Sequence, residues 1–297
     1  MKIFNRYKKS LEEEQVPCKR WLQFLYGNFI GNLFLNLVFK KSWFSRILGF
    51  FTNLSVSRNR IQPFCKKYHI CIEDFEIPQG GYKNFNAFFS RKLKPHARSF
   101  CTEPHIGFPA DGRHLGFQNI DIQKSFSIKG RRYSLEQLLD NRFLAERFQG
   151  GTCIISRLAP TDYHRFHFPY SGIPQKTCDV NGALYSVHPI ALKKSFRIFE
   201  ENKRCITVID SEHLGAFIMI EVGATCVGSI QQTFTPNLPV SIGTEKGYFA
   251  LGGSTVITLF EHNRIILDED LLYYSQQNIE LYAKVGDHLG HVNPQFQ

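Results

Sequence analysis

From about Gly107 onward, apolar and polar positions alternate in short β-prone runs separated by Gly, Pro and Asn. Residues 152–157, 205–209, 216–222, 225–233 and 254–260 read as strands, and their spacing predicts an antiparallel, sandwich-like body. Residues 85–93 and 134–141 carry helical patterns, the second with a Ser134 cap and Glu136 in its first turn. Ahead of these, residues 28–51 read NFIGNLFLNLVFKKSWFSRILGFF, in which Asn32, Asn36, Lys40, Lys41 and Arg46 interrupt bulky apolar residues. The unbroken apolar part is shorter than the roughly 20 residues that a spanning helix needs. Amphipathic helices are therefore expected over residues 1–80 and a β-rich body over residues 81–297, an α+β class overall.

A chain of 297 residues with 43% hydrophobic and 21% charged positions can bury a full core, which excludes a disordered protein. Gly (22) and Phe (28) are plentiful and Met (2) is scarce, in keeping with many tight turns between aromatic-rich strands. The eight cysteines form no CxxC pair, so a zinc ribbon or a thioredoxin-type site is unsupported. The opening MKIFNRYKKS lacks the apolar core of a secretory signal, and reduced thiols in a cytosolic setting are expected.

The formal charge of +10 is concentrated at the start, where the first 60 residues hold eleven Lys/Arg against three acids. Basic residues interleaved with Trp43, Phe and large aliphatics make a composition that lies in an anionic lipid surface. The alternative is a helical pair packed through those apolar residues on its own domain. Nucleic acid fits poorly, because no recognised binding motif accompanies the charge.

Three separated segments combine reactive side chains with residues that constrain the backbone: FPADGR (108–113), APTDYHRFHFPYSG (159–172) and GYFALGGSTVITLF (247–260). Alone, Asp111 before Gly is an ordinary turn aspartate. His164 and His167 alone are surface histidines or a metal pair. The Gly252-Gly253-Ser254 run differs in kind: two glycines let the backbone present a scissile carbonyl to a neighbouring hydroxyl, although a simple bulge before a strand needs the same residues. An acid, a histidine and a serine together supply a nucleophile, its base and a group that orients the base. Ser254 does not sit in GxSxG, which argues against an α/β-hydrolase elbow. A weaker echo links SIGTEKGYF (241–249) with AKVGDHLGHV (283–292), each with two glycines four apart, as in a body of two similar halves.

In this order and at these separations, the three segments resemble the phosphatidylserine decarboxylase family of pyruvoyl-dependent lyases. FNAFFSRKLKPHAR (85–98), ENKRCITVI (201–209) and EVGATCVGSI (221–230) agree, and the resemblance covers about residues 80–292. It implies a proenzyme cut between Gly253 and Ser254 into a beta chain (1–253) and an alpha chain (254–297) that stay together as a heterodimer. Asp111, His167 and Ser254 match the family's self-cleavage triad, and His164 the histidine tied to decarboxylation. The implied cofactor is a pyruvoyl group made from Ser254, with no metal, which forms a Schiff base with phosphatidylserine and releases carbon dioxide to give phosphatidylethanolamine. The implied setting is the cytoplasmic side of the cell membrane, as a peripheral protein on anionic lipid, with a homo-oligomer left open. One departure is His188, in SVHP, where an Asn is common in the family. Two rivals remain on the residues themselves: a serine hydrolase with the same three side chains, and a non-enzymatic lipid-binding module.

Overall fold

The structure, a computed structural model, describes residues 2–14, 19–120, 126–128, 131–192, 197–224, 229–250 and 254–296. The chain opens with a hairpin, β1 (Lys2–Asn5) and β2 (Ser10–Glu13), within the region expected to be helical. Its turn is closed by the Asn5 side chain, whose Oδ1 accepts from the amides of Tyr7 and Lys8. Strands this short have little local signature, and β1 is decided by parallel pairing with residues 280–282, far along the chain.

The expected helices follow as α1 (Lys19–Gly27), α2 (Phe29–Phe34) with a π-helical continuation at Leu35–Phe39, α3 (Ser42–Asn53) and α4 (Ile61–Tyr68). Asn28 caps α2 by accepting from the Gly31 amide at 2.7 Å. No single described helix is long and apolar enough to cross a membrane; residues 20–27 and 29–39 meet that test only jointly and are bent by 89°. The segment is tied down on its inner side, where Leu25, Tyr26 and Leu35 join the main core. Lys40 O accepts from the Leu184 amide and Tyr26 Oη from the Ser186 amide.

Next come α5 (Phe85–Phe89), β3 (His105–Gly107), β4 (Gly112–Phe117), the small hairpin β5 (Phe126–Ile128) and β6 (Arg131–Tyr133), α6 (Leu135–Leu139) and α7 (Arg142–Arg147). Helix α6 starts at the Ser134 cap, as expected. Helix α5 stops four residues short of expectation because Arg91 turns inward, its guanidinium 4.3 Å from the Phe75 ring centre and donating to the carbonyls of Thr161 and Asp162. The rest of the body is β7 (Thr152–Leu158), β8 (Arg165–His167), β9 (Ile173–Pro174), β10 (Cys178–Val180), α8 (Pro189–Leu192), α9 (Ile198–Glu201), β11 (Arg204–Ser211), β12 (Gly215–Val222) and β13 (Ile230–Gln232). It ends with β14 (Glu245–Phe249), β15 (Ser254–Phe260), β16 (Ile265–Leu267), α10 (Glu269–Gln276), β17 (Glu280–Ala283) and β18 (His288–Val292).

The large sheet runs β10-β11-β12-β15-β7-β4-β17-β1-β2 and is antiparallel except at β1–β17. Strand alternation divides its side chains between two cores. Ile155, Ile220, Ile257 and Leu259 face the helices α6 to α9, whereas Ile154, Met219, Val256 and Phe260 face two three-stranded sheets, β13-β14-β8 and β16-β18-β3. The protein is thus an α+β structure with a layered, β-rich body.

Those two small sheets repeat one another. Phe108-Pro109 follows β3 as Phe168-Pro169 follows β8, and the halves exchange backbone bonds, His167 N to Pro109 O (2.8 Å) and Gly107 N to Pro169 O (3.0 Å). Gly243 N donates to Phe168 O and Gly286 N to Phe108 O, each at 2.9 Å. Both glycines lie in the left-handed region, at φ 81° and 83°, with the Phe100 ring where a Cβ would stand. The sequence echo therefore marks two turns of one geometry.

Candidate active site

Ser254 opens β15 between β12 and β7, and shares a face with Val256, toward the small sheets. It is 0% exposed, and its Oγ has no hydrogen-bond partner among the described residues. Gly252 and Gly253, and with Gly253 the expected scissile bond, lie outside the described residues.

Asp111 stands in the turn between β3 and β4, beside Gly112, whose missing side chain lets the turn approach β7: a Cβ there would sit 2.6 Å from Arg157 O. Its buried carboxylate accepts from the Val285 amide on Oδ1 (2.8 Å) and from Arg98 Nη2 on Oδ2 (3.1 Å). Ser171 holds the equivalent place in the sister turn, accepting from Ile242 N at 3.0 Å. Closing such a turn is therefore Asp111's structural share of the work, and the charge paired with Arg98 is what it adds. Burial raises the Asp111 pKa, opposed by Arg98 and the Val285 amide.

His167 lies in β8, its backbone amide bonded to Pro109 O, so the Asp111 turn and the histidine strand adjoin. No hydrogen bond joins the two side chains. His167 instead places Nδ1 2.8 Å from Gly243 O and Nε2 3.0 Å from Tyr163 Oη. Burial lowers its pKa, opposed by the Gly243 carbonyl, and keeps the ring neutral at neutral pH. His164 is fully buried, with Nδ1 3.0 Å from Asp162 O and its ring centre 3.9 Å from that of Phe89. His188, which stands where an Asn is common in the family, accepts from the Ile190 amide on Nδ1 at 3.2 Å, beside α8.

The structure thus gathers the motif blocks around one face of the sheet, and adds residues to which the sequence assigned no role. Arg91 and Arg165 brace the two histidine positions against α5, Arg165 donating to Ser90 O and pairing with Glu245 at 2.7 Å. Glu221, the cross-strand partner of Val256, forms a wholly buried ion pair with Lys246 at 2.9 Å, and Gln232 bonds to both. Arg98 and Glu221 lay inside the blocks quoted for the resemblance, and Tyr163 lies in DYHRFH, but nothing local singled them out. A neutral imidazole in β8, a buried hydroxyl at the head of β15 with no partner among the described residues and a buried carboxylate in the turn between β3 and β4 are the side-chain types that nucleophilic chemistry by serine needs.

Comparison with known proteins identifies the family. Residues 85–291 match the family described as phosphatidylserine decarboxylase. A protein of Chlamydia trachomatis serovar L2 named phosphatidylserine decarboxylase proenzyme is 45% identical over 291 residues, 98% of this chain and 97% of its own. Proteins of the same name from Clostridium novyi and Clostridium kluyveri are 42% and 44% identical, each over 98% of this chain and over 99% and 98% of their own.

Proposed function

The chain belongs to the phosphatidylserine decarboxylase family and is a carboxy-lyase; from that premise we propose that it is a self-processing proenzyme whose Ser254 becomes a covalent pyruvoyl group. The observation that carries this reading is the Ser254 hydroxyl, buried at the head of a central strand with no described partner. Leaving such a group unsatisfied costs on the order of 1–3 kcal/mol, a cost with a purpose if the hydroxyl is there to react.

In this reading the Ser254 proton passes to His167 while Oγ bonds to the Gly253 carbonyl carbon, and the Gly253–Ser254 C–N bond breaks as that proton passes on to the Ser254 nitrogen, leaving an ester and a free amine. Removal of the Ser254 α-proton then expels the Gly253 carboxylate and leaves dehydroalanine at position 254. Its imine tautomer takes up water and loses ammonia, so that a pyruvoyl group caps residues 254–297. The pyruvoyl carbonyl supplies an electrophile for the serine amine of phosphatidylserine and a sink for the electrons left when carbon dioxide departs. Ser254 provides the attachment, and the buried face around it excludes water. His164, its Nδ1–H donated to Asp162 O, is the candidate to protonate the substrate's former α-carbon from Nε2, as an imidazolium that the step returns to the neutral ring. Because β15 lies between β12 and β7, a cut ahead of it leaves residues 254–297 bonded into the sheet as one chain of a heterodimer.

The same reading places the protein on the cytoplasmic face of the cell membrane, drawing phosphatidylserine from anionic lipid. Phe29, Ile30, Leu37, Trp43, Phe50 and Phe51 are exposed on α2, its continuation and α3, and a soluble surface does not keep such a group in water without a partner. Intact mass tests the proposal. A fragment of residues 254–297 whose first residue is pyruvoyl supports it, whereas one uncut chain, or a fragment beginning with plain serine, points to a hydrolase or a binding module.

A further inference from the structure

A backbone carbonyl only accepts hydrogen bonds, so the contact of His167 Nδ1 with Gly243 O puts a proton on Nδ1. The lone pair of the neutral ring is then on Nε2. The hydroxyl 3.0 Å from that nitrogen is Tyr163's, and it can only be the donor. Tyr163 is 2% exposed and packs with Phe75 and Val285, so its hydroxyl is not exchanging freely with water.

The other side of the ring is equally determined. Gly243 is held in its left-handed conformation with Phe100 against it, which fixes where its carbonyl points. In the sister turn the equivalent carbonyl, Gly286 O, accepts from the Cys101 amide, and Gly107 stands where His167 does. The histidine ring thus takes an acceptor that backbone satisfies in the other half. Asp111 is engaged by Arg98 and the Val285 amide, and Ser254 Oγ has no hydrogen-bond partner among the described residues. In the uncut chain the base lone pair is occupied by Tyr163, and no bond joins it to the nucleophile it must serve.

We infer that Tyr163 is a further positioning residue of self-processing: its hydroxyl holds the Nε2 lone pair of His167 and must release it before that nitrogen can take the Ser254 proton, while Gly243, not Asp111, orients the ring. The inference rests on Ser254 being the self-cleavage nucleophile. No proton changes owner in the release. The phenol swings off as a neutral donor, and Nε2 accepts from Ser254 Oγ in its place, giving an imidazolium whose Nδ1–H still faces Gly243.

The test is the rate at which the newly made full chain divides into residues 1–253 and 254–297 during cell-free synthesis. Tyr163→Phe keeps the ring packing and removes the hydroxyl, and should cleave about fivefold faster, as expected from freeing one neutral hydrogen bond. A residue with only a structural role cannot give a gain of rate when lost. If the wild-type chain cleaves and a folded Tyr163→Phe chain cleaves at the same rate or more slowly, the inference is overturned. If the wild-type chain never cleaves, the reading of Ser254 fails instead. Should Tyr163→Phe not fold, nitrogen-15 spectra of His167 in the Ser254→Ala chain decide: a neutral ring protonated on Nδ1 supports the arrangement, and one protonated on Nε2 overturns it.

Discussion

Arg98 and Asp111 form a buried ion pair, Nη2 to Oδ2 at 3.1 Å, with side chains only 8% and 6% exposed. Asp74 takes the other end of the same guanidinium at 2.7 Å. Removing one member of a buried pair strands the other, which costs about 3–5 kcal/mol. Arg98→Ala should therefore lower stability by about that much in a denaturant titration. Asp111→Asn should cost less, because Arg98 keeps Asp74, but should slow self-cleavage, because the turn that Asp111 closes carries the Pro109 carbonyl bonded to the His167 amide. Unchanged cleavage in Asp111→Asn would remove Asp111 from the processing set.

Ser254→Ala should leave an uncut chain of full mass without decarboxylase activity, since both the nucleophile and the pyruvoyl precursor are gone. His167→Ala should also stay uncut. His164→Ala should cleave yet decarboxylate poorly, and gel analysis beside a carbon dioxide assay separates the two roles. An uncut His164→Ala chain would show the division of labour between the histidines to be wrong.

Acid should destabilise the fold before it titrates the carboxylates. His114 is wholly buried between Ser156 Oγ and Ala283 O, and burial pushes its pKa down to about 3. His167 is lowered for the same cause. The unfolded chain takes up protons at an ordinary histidine pKa of about 6.5 while the folded chain does not, so stability falls as pH drops below that value. For His114 alone the loss is roughly 2 kcal/mol by pH 5. Denaturant midpoints at pH 7 and pH 5 measure it, and a stability independent of pH over that range would contradict the burial of both rings as neutral species.

Attachment to anionic vesicles should separate into a salt-sensitive and an apolar part. Lys40 is spoken for, its Nζ donating to Tyr185 Oη at 2.9 Å, so Lys41→Gln with Arg46→Gln is the cleaner charge test. That pair should mimic high salt and weaken sedimentation with vesicles. Phe29→Ser, Ile30→Ser and Phe50→Ser together should release the protein even at low salt, because these side chains are exposed and contribute no core. Cleavage at Ser254 should survive both sets. Loss of folding in the serine variant would mean that the apolar face packs on protein.

Much of the body was legible in the chain. Strands predicted at 152–157, 205–209 and 216–222 became Thr152–Leu158, Arg204–Ser211 and Gly215–Val222, and Ser254–Phe260 kept its bounds. The strand expected at 225–233 is seen as Ile230–Gln232, with residues 225–228 outside the described part. These segments announce themselves because alternation with a period of two is a local property. The paired glycines at 243 and 286 were legible as turns for the same reason.

What the amino-acid order determined by itself was therefore the strands, the glycine turns, the basic apolar region ahead of them and the blocks that carry reactive side chains, all readable within a few neighbouring residues. Which groups those side chains meet was decided only by tertiary structure. The β1 hairpin exists because residues 2–5 find residues 280–282. His167 takes its partners from Tyr163 and from Gly243, 76 positions away, and Asp111 from Arg98 and from Val285, 174 positions away. Such pairings depend on which strands the closed sheet brings side by side, and a charge or a lone pair is satisfied by whatever atom lies within about 3 Å, however distant in the chain.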